Sequence, residues 1–312
     1  MDTLAVVLDG PEQVAVRRLE LQPAGGDDVV VEVAFSGIST GTERLMWSGE
    51  MPPFPGMGYP LVPGYEAVGR IVEARGKSQA RIGETVFVPG STGFVGARGL
   101  FGGAARRVVA HGSRVVALPD GVEETGVLIA LAATARHAIA SGAAPPDVIV
   151  GHGVLGRLLA RIVIAEGHPA PTVWEIDPAR RLGAQGYRVI DPAEDTRCDY
   201  RVILDASGAQ GQLDQWIGRL AKGGEVVLAG FYHKPVQFAF APAFMREARL
   251  RIAAEWAPED LAATIALIRD GRLSLGGLIT HHQAASQAET AYRTAFSDST
   301  CLKMVLDWSA CA

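Results

Sequence analysis

The sequence predicts an α/β protein with two domains, one rich in β-strands and one built as a doubly wound parallel sheet. Three observations carry this prediction. The chain has 312 residues, which favours two domains at about 150 residues each. Strand-like runs fill residues 1–120, and strand-like and helix-compatible runs alternate from about residue 126 onward. Hydrophobic residues make up 48% of the chain, enough to bury a core and to exclude global disorder.

The first part of the chain carries short β-branched runs that glycine and proline separate. These runs are Val29–Phe35, Ala67–Val72 and Thr85–Val88. Residues 1–9 form an apolar run without a basic flank, so they predict a first strand rather than a signal peptide.

The second part alternates strands with helices, which predicts βαβ units and a parallel sheet with helices on both faces. The predicted strands are Val148–Val150, Thr172–Ile176, Arg201–Leu204 and Glu225–Ala229. The helix-compatible stretches between them are 155–166, 178–184 and 210–221. Helices over 258–269 and 284–295 and a strand over Cys301–Asp307 complete the chain.

Charge, cysteine content and hydropathy exclude several classes of protein. The net charge of −5 provides no overall basic field for nucleic acid. The three cysteines, Cys198, Cys301 and Cys311, form no CxxC pair, so we expect neither a disulfide scaffold nor an oxidising compartment. No run of about 18 apolar residues predicts a transmembrane helix. We expect a cytoplasmic protein, and the sequence leaves a peripheral membrane contact and a homodimer open.

The most informative local motif is a GxGxxG turn between a predicted strand and a predicted helix. Gly151 permits the tight turn, Gly153 lets the backbone approach a pyrophosphate, and Gly156 lets the helix pack on the strand. The first helical residues, Val154 and Leu155, then present free N–H groups to the pyrophosphate. The motif predicts a dinucleotide site, and the alternative is a turn that only packs the helix on the sheet.

An acidic residue closes the next strand at the spacing that such sites use. Glu175 follows Gly156 by nineteen residues and is predicted to accept hydrogen bonds from the ribose hydroxyls, which favours NAD over NADP. Arg180 and Arg181 follow closely and leave NADP open, although a solvated turn explains them as well. Ser207 and Gly230 follow the third and fourth strands and are predicted to lie along the ribose and nicotinamide.

Beyond this motif, the sequence resembles the medium-chain dehydrogenase/reductase superfamily along nearly its whole length. The residues that carry the resemblance are Gly37-Ile38-Ser39, Gly64-Tyr65-Glu66-Ala67-Val68-Gly69-Arg70-Ile71-Val72, Gly76, Gly83-Glu84-Thr85-Val86 and Gly277–His281. The resemblance implies a GroES-like catalytic domain built from both chain ends, with a Rossmann domain inserted. We place the boundaries at 1–125 for the first part of the catalytic domain, 126–257 for the NAD-binding domain and 258–312 for the return of the chain.

The resemblance fails at the zinc ligands. Where alcohol dehydrogenases of this superfamily hold zinc, this chain has Ser39, Tyr65 and Ala130, which do not supply nitrogen and sulfur ligands. The stretch Pro89–Arg107 contains no cysteine lobe. We therefore predict no metal, and a rearranged site of Glu43, Glu66 and His137 stays open.

A more specific resemblance lies in residues 36–66. The segments Ser36–Glu43, Met46–Gly49 and Phe54–Glu66, together with Ala133–Ala138, resemble the bacteriochlorophyllide a dehydrogenases. This resemblance implies oxidation of the 3-(1-hydroxyethyl) group of a tetrapyrrole to 3-acetyl, with NAD⁺ as acceptor, in bacteriochlorophyll biosynthesis. Two alternatives remain: a zinc-free quinone or enoyl reductase of the same fold, and a non-catalytic dinucleotide-binding sensor.

Alcohol oxidation without zinc needs a polar group beside the reacting oxygen. Tyr65 occupies a lost ligand position and is predicted to stabilise the developing alkoxide. Thr42 and Glu43 lie on the neighbouring turn, and His137 is predicted as the terminal base of a relay. The alternatives are that Tyr65 fills the volume of the metal, that Glu43 caps a helix or pairs with Arg44, and that His137 is a core histidine.

We also predict a wall for a flat apolar substrate. Methionine and aromatic side chains suit such surfaces, and the alternative is a rigid loop packed on the core. The residues assigned to this wall are Ser39, Trp47, Met57, Tyr59 and Phe231.

Overall fold

The computed structural model describes residues 1–311, which fold into two compact units. The first unit combines Met1–Ala130 with the chain from Gly276 onward, and the second is Leu131–Leu275. The predicted α/β class, with a β-rich unit and a doubly wound unit, is confirmed. The fold keeps residues 258–275 with the second unit, whereas our sequence boundaries assign them to the catalytic domain.

The first unit is built from two sheets. Its strands are β1 Asp2–Gly10, β2 Gln13–Glu20, β3 Asp28–Ile38, β4 Leu61–Val62, β5 Ala67–Ala74, β6 Thr85–Val88, β7 Arg98–Gly99, β8 Arg107–His111, β9 Val116–Ala117, β16 His281–Ala284 and β17 Met304–Asp307. One sheet has the strand order β2-β1-β4-β7 and the other β16-β17-β3-β5-β6-β9, with β8 paired to β3. The helices of this unit are α1 Thr42–Ser48 and α7 Ala288–Ser297, and α2 Ile129–Ala140 begins at its boundary.

The long strand β3 organises this unit because it pairs with three others. It runs antiparallel to β5, β8 and β17, and the last of these comes from the far end of the chain. Strand β17 therefore brings Lys303, the residue before it, beside Ile38 at the end of β3. The N-terminal and C-terminal parts of the chain thus meet where β3 leads into α1.

The second unit is a six-stranded, all-parallel sheet. Its strands are β10 Val148–Val150, β11 Thr172–Trp174, β12 Arg188–Ile190, β13 Tyr200–Asp205, β14 Leu220–Leu228 and β15 Arg249–Ile252. The order β12-β11-β10-β13-β14-β15 is that of a Rossmann sheet, in which the strand order reverses between β10 and β13 while all strands stay parallel. The helices of this unit are α3 Val154–Ala165, α4 Leu213–Gly218, α5 Phe240–Arg246 and α6 Pro258–Arg269.

Two helix-compatible stretches are shorter in the structure than in the prediction. Residues 178–184 hold only a 3₁₀ turn, Pro178–Arg181, in which the Asp177 side chain accepts from the Ala179 N–H. Helix α4 covers six residues of the predicted twelve because β14 begins at Leu220. Helix α6 has the predicted bounds. Among residues 1–311, no helix combines the length and the apolar character that crossing a bilayer would require.

Candidate active site and dinucleotide cradle

The glycine turn has the shape that a pyrophosphate site needs. Gly151 adopts a φ of +94°, and a Cβ there would lie 3.1 Å from the Cβ of Ser207. A Cβ at Gly156 would lie 1.9 Å from the carbonyl oxygen of Gly151, so only glycine lets α3 pack this closely. Gly153 faces open space and provides no side-chain cap, which leaves the N–H groups at Val154 and Leu155 free for an anion. The cradle therefore fits a dinucleotide.

Glu175 lies directly after β11, and its carboxylate is fixed by the backbone. Its Oε2 accepts from the His152 N–H at 2.9 Å, and its Oε1 accepts from the Asp177 N–H at 2.9 Å. A carboxylate has about four acceptor positions, so both oxygens keep one for a ribose hydroxyl. Glu175 thus connects the glycine turn to the predicted ribose position.

Beside Glu175, buried polar side chains hold the loop that carries Arg180. The buried His152 ring bonds through Nδ1 to the Arg180 carbonyl at 2.6 Å and through Nε2 to the Tyr187 hydroxyl at 2.8 Å. Burial lowers the pKa of His152 to about 4, so the ring is neutral at pH 7. Arg157 donates to the carbonyls of Arg180, Leu182 and His152. The loop is therefore rigidly attached to the start of α3.

At the carboxyl end of β13, buried Asp205 organises the turn on the predicted nicotinamide side. Its Oδ1 accepts from the N–H and the hydroxyl of Ser207, and its Oδ2 accepts from the Gly208 N–H and the Tyr232 hydroxyl. Burial raises the pKa of Asp205, and these four bonds favour the carboxylate. A Cβ at Gly230 would lie 2.5 Å from the Gly208 nitrogen, so the two turns approach one another through glycine.

In the first unit, Ser39 and Tyr65 meet, the two residues that the sequence resemblance places where alcohol dehydrogenases hold zinc. Their hydroxyl oxygens lie 2.6 Å apart, and either can donate. The ring of Phe101 packs edge-on against Tyr65 at a centroid distance of 5.2 Å, and the Thr42 side chain acts to lower the pKa of Tyr65. Burial, followed by the nearby Glu66 carboxylate, raises the pKa of Tyr65, so its phenol stays protonated at neutral pH. Tyr65 keeps part of its side chain exposed, whereas Ser39 is buried.

Glu43 lies beneath this pair without any exposure to solvent. Its Oε1 accepts from the Ser39 N–H at 3.0 Å, and its Oε2 accepts from the Tyr292 hydroxyl at 2.6 Å. Burial raises the pKa of Glu43, and the two hydrogen bonds lower it. Burial is the larger effect, so the pKa is about 7. Glu43 therefore positions Ser39 and titrates near neutrality.

Glu66 and Lys303 form a second buried pair at the same place. The ammonium of Lys303 lies 2.6 Å and 2.9 Å from the two Glu66 oxygens and 3.2 Å from the Ile38 carbonyl. Both side chains are at most 1% exposed. A Cβ at Gly37 would lie 2.2 Å from Glu66 Oε2, so glycine at this position gives the carboxylate its space.

The raised pKa of Glu43 makes stability depend on pH. Because its folded-state pKa is about 7 against an ordinary value of 4.5, its stabilising contribution is complete below about pH 4.5 and is lost as pH rises through 7. The loss amounts to roughly 3 kcal/mol at 1.36 kcal/mol per pKa unit. We expect Glu43→Gln to remove this loss, measured as the difference between variant and wild type in urea unfolding from about pH 5 to about pH 8. Unfolding free energies that run parallel over this range would contradict the assignment.

Zinc does not fit the residues that stand where the superfamily binds it. Serine, tyrosine and alanine occupy the three positions, Glu66 is paired with Lys303, and Glu43 is bonded to Tyr292. Among residues 1–311, no three His, Cys, Asp or Glu side chains are grouped so that they could hold a metal ion.

The remaining predicted site residues have specific partners. His137, in α2, bonds through Nδ1 to Asp260 Oδ2 at 2.7 Å, and Arg136 lies 2.7 Å from the other oxygen of Asp260. Its role as a base stays a prediction. Trp47, Met57 and Tyr59 pack partly buried against the core of the first unit, and Phe231 is partly exposed after β14. Their role as a substrate wall also stays a prediction.

Sequence reasoning missed the partners that determine how the site residues are held. They are Tyr292, Lys303, Phe101, Asp205, Tyr232 and Asp260. One of them left a signal: Lys303 is a lone charge in the apolar run that leads into β17. The others stand in ordinary amphipathic or turn contexts.

Comparison with known proteins agrees with this architecture. The alcohol dehydrogenase GroES-like domain family matches residues 25–120. A solved protein described as a short chain alcohol dehydrogenase from Escherichia coli CFT073, complexed with NADH, has a TM-score of 0.84 at 19% identity, over 98% of this chain and 99% of that one. A putative zinc-binding dehydrogenase from Sinorhizobium meliloti, bound to NADP, has a TM-score of 0.80 at 19% identity, with the same coverage. At such identities the likeness shows the fold alone.

The GroES-like domain match and the dehydrogenases of 58% identity over the full chain define an oxidoreductase of the medium-chain dehydrogenase/reductase superfamily. Within it, the chain is 58% identical to the 2-desacetyl-2-hydroxyethyl bacteriochlorophyllide A dehydrogenase of Rhodobacter capsulatus, over 310 residues and 99% of both chains. It belongs to this family of bacteriochlorophyllide dehydrogenases. Both resemblances identified from the sequence are thereby confirmed.

Proposed function

We propose that this chain oxidises the 3-(1-hydroxyethyl) group of a bacteriochlorophyllide to 3-acetyl, with NAD⁺ as hydride acceptor, in the biosynthesis of bacteriochlorophyll a. The full-length identity of 58% to a dehydrogenase named for this pigment carries the proposal. The fit of the glycine turn to a dinucleotide and the hydrogen-bonded hydroxyl pair of Ser39 and Tyr65 support it.

The bound nicotinamide would take the hydride from the carbinol carbon. Tyr65 binds the substrate hydroxyl and donates its proton into a hydrogen bond with the oxygen as negative charge develops there. Ser39 donates to Tyr65 and thereby keeps the phenol proton directed at the substrate. Glu43 positions Ser39 through its main-chain N–H. His137, oriented by Asp260, is the proposed terminal acceptor of the substrate proton.

Turnover of the pigment tests this proposal directly. Purified protein is incubated with 3-hydroxyethyl bacteriochlorophyllide a and either NAD⁺ or NADP⁺, and the red shift of the pigment on conversion to acetyl is followed together with reduced nicotinamide. We expect equal amounts of acetyl pigment and NADH. Binding of NAD⁺ without turnover would favour a sensor, and reduction of a quinone or enoyl substrate instead would favour the reductase alternative.

We propose NAD⁺ as the preferred cofactor because Glu175 stands at the end of β11 and a 2′-phosphate there would meet a carboxylate. Glu175→Ala is expected to narrow the preference for NAD⁺ over NADP⁺ by about 1–3 kcal/mol, the value of hydrogen bonds to a charged group. Calorimetric dissociation constants for both cofactors measure this change. Equal affinity of the unmodified protein for the two cofactors would contradict the prediction.

The expected cytoplasmic location, the homodimer and a peripheral membrane contact stay predictions. Sedimentation of the protein with lipid vesicles tests the membrane contact, its mass in solution tests the homodimer, and cell fractionation tests the location.

A further inference from the structure

We propose that Asp191 determines cofactor specificity by holding Arg181 away from the position of a ribose 2′-phosphate. This inference rests on the proposed function, because it explains how a chain with two arginines after Glu175 would still favour NAD⁺. It assigns the discrimination between NAD⁺ and NADP⁺ to a residue that belongs neither to the GxGxxG turn nor to Glu175.

Three hydrogen bonds orient the Arg181 side chain. Its Nε donates to the Glu175 carbonyl at 2.8 Å, and its Nη2 donates to the Ile176 carbonyl at 3.0 Å. The same Nη2 lies 2.5 Å from Asp191 Oδ2. The guanidinium is therefore turned back onto the backbone at the end of β11, and its charge is compensated by Asp191.

Asp191 is held in place just after β12. It directly follows Ile190, the last residue of β12, and Ile190 is paired in register with Trp174 at the end of β11. Its other oxygen, Oδ1, accepts from the Ala193 N–H at 2.8 Å, which fixes the carboxylate. Asp191 thus lies at the carboxyl edge of the sheet, one strand away from Glu175.

A ribose 2′-phosphate needs a cationic partner. In Rossmann domains an arginine near the acidic residue accommodates this group in NADP. An arginine binds phosphate through charge-assisted and often bidentate hydrogen bonds, which need donors that are not already committed. Arg181, six residues after Glu175, is placed for this role, but Asp191 and two carbonyls occupy the donors of its Nε and Nη2 and turn the guanidinium toward Asp191. Releasing it would supply the missing partner for the 2′-phosphate.

The surrounding loop keeps this effect local. The Arg180 carbonyl is bonded to the His152 ring and to the Arg157 guanidinium, so the backbone between β11 and β12 does not depend on Asp191 alone. An asparagine at 191 also keeps an oxygen that can accept from the Ala193 N–H. Asp191→Asn therefore removes the charge that holds Arg181 and preserves the turn.

The test is equilibrium binding of nucleotides to the full chain, without pigment. The probes are NADP⁺ against NAD⁺, and adenosine 2′,5′-bisphosphate against AMP, which differ only in the 2′-phosphate. We expect Asp191→Asn to raise affinity for the two 2′-phosphorylated probes by about tenfold, the scale of one charge-assisted interaction, and to change NAD⁺ and AMP binding less than about twofold.

Two further variants isolate the mechanism. Asp191→Asn combined with Arg181→Ala is expected to lose the gain, because the gain acts through Arg181. Asp199→Asn is the matched charge control, because Asp199 pairs with Arg197 at 2.5 Å but precedes β13 and so lies at the opposite edge of the parallel sheet. We expect it to leave all four affinities unchanged.

Three results would overturn the inference: no gain in Asp191→Asn, a gain that survives Arg181→Ala, or an equal gain in Asp199→Asn. Each of these leaves pigment oxidation with NAD⁺ intact and so counts against Asp191 alone. A wild-type protein that binds neither dinucleotide would overturn both this inference and the proposed function.

Discussion

Tyr65→Phe is expected to lower kcat by roughly 10²–10³, or about 2.7–4 kcal/mol of transition-state stabilisation. The variant keeps the ring that packs against Phe101 and removes only the hydroxyl that meets Ser39. KM should change little, because the hydrogen bond to oxygen strengthens as negative charge develops and is weak in the ground state. Steady-state kinetics on the hydroxyethyl pigment measure both constants.

Two controls separate catalysis from packing. Tyr200→Phe removes a tyrosine hydroxyl that donates to Asp195 in the second unit, and we expect an unchanged kcat. Tyr65→Ala leaves a cavity and is expected to destabilise the fold by about 3–5 kcal/mol, as for other large aromatic truncations. If Tyr65→Phe turned over normally while Tyr65→Ala lost stability, Tyr65 would only fill space, and Thr42, Glu43 and His137 would become the candidates.

Lys303→Met is expected to reduce the free energy of unfolding by about 3–5 kcal/mol. The substitution leaves the Glu66 carboxylate buried beside no cation, and burial already raises the pKa of this group. The double variant Lys303→Met, Glu66→Gln should recover part of the loss because the uncompensated charge is gone. Chemical unfolding at neutral pH measures the series.

The control for this series is an exposed pair of the same kind. Lys222 lies 3.0 Å from Glu247, with both side chains largely solvated, and Lys222→Met should change stability by less than about 1 kcal/mol. If Lys303→Met and Lys222→Met reduced the free energy of unfolding by similar amounts, burial of the Lys303–Glu66 pair would not increase its contribution to stability.

Features built from residues close together in the sequence were predictable, whereas contacts between residues far apart in the sequence were not. The strand, glycine turn, helix and acidic residue of the dinucleotide cradle lie within residues 148–175, so their order and spacing alone predicted the geometry that Gly151 and Gly156 adopt. The same holds for helix α6, whose bounds follow from a proline start and an apolar period. The stretch 178–184 was overestimated, because the Asp177 cap and the buried Arg157 hold it as a turn instead.

By itself, then, the sequence determined the α/β class, the dinucleotide cradle, the loss of zinc ligands and the pigment dehydrogenase family, since each rests on contiguous or regularly spaced residues. The tertiary structure decided the partners of the buried groups. Glu66 meets Lys303 across 237 residues of chain, Glu43 meets Tyr292 across 249, and His137 meets Asp260 across 123. Local patterning specifies which side chains are buried, but it carries no information about which distant group will share that space. A buried carboxylate's charge and its pKa depend on that neighbour, so only the folded chain could assign them.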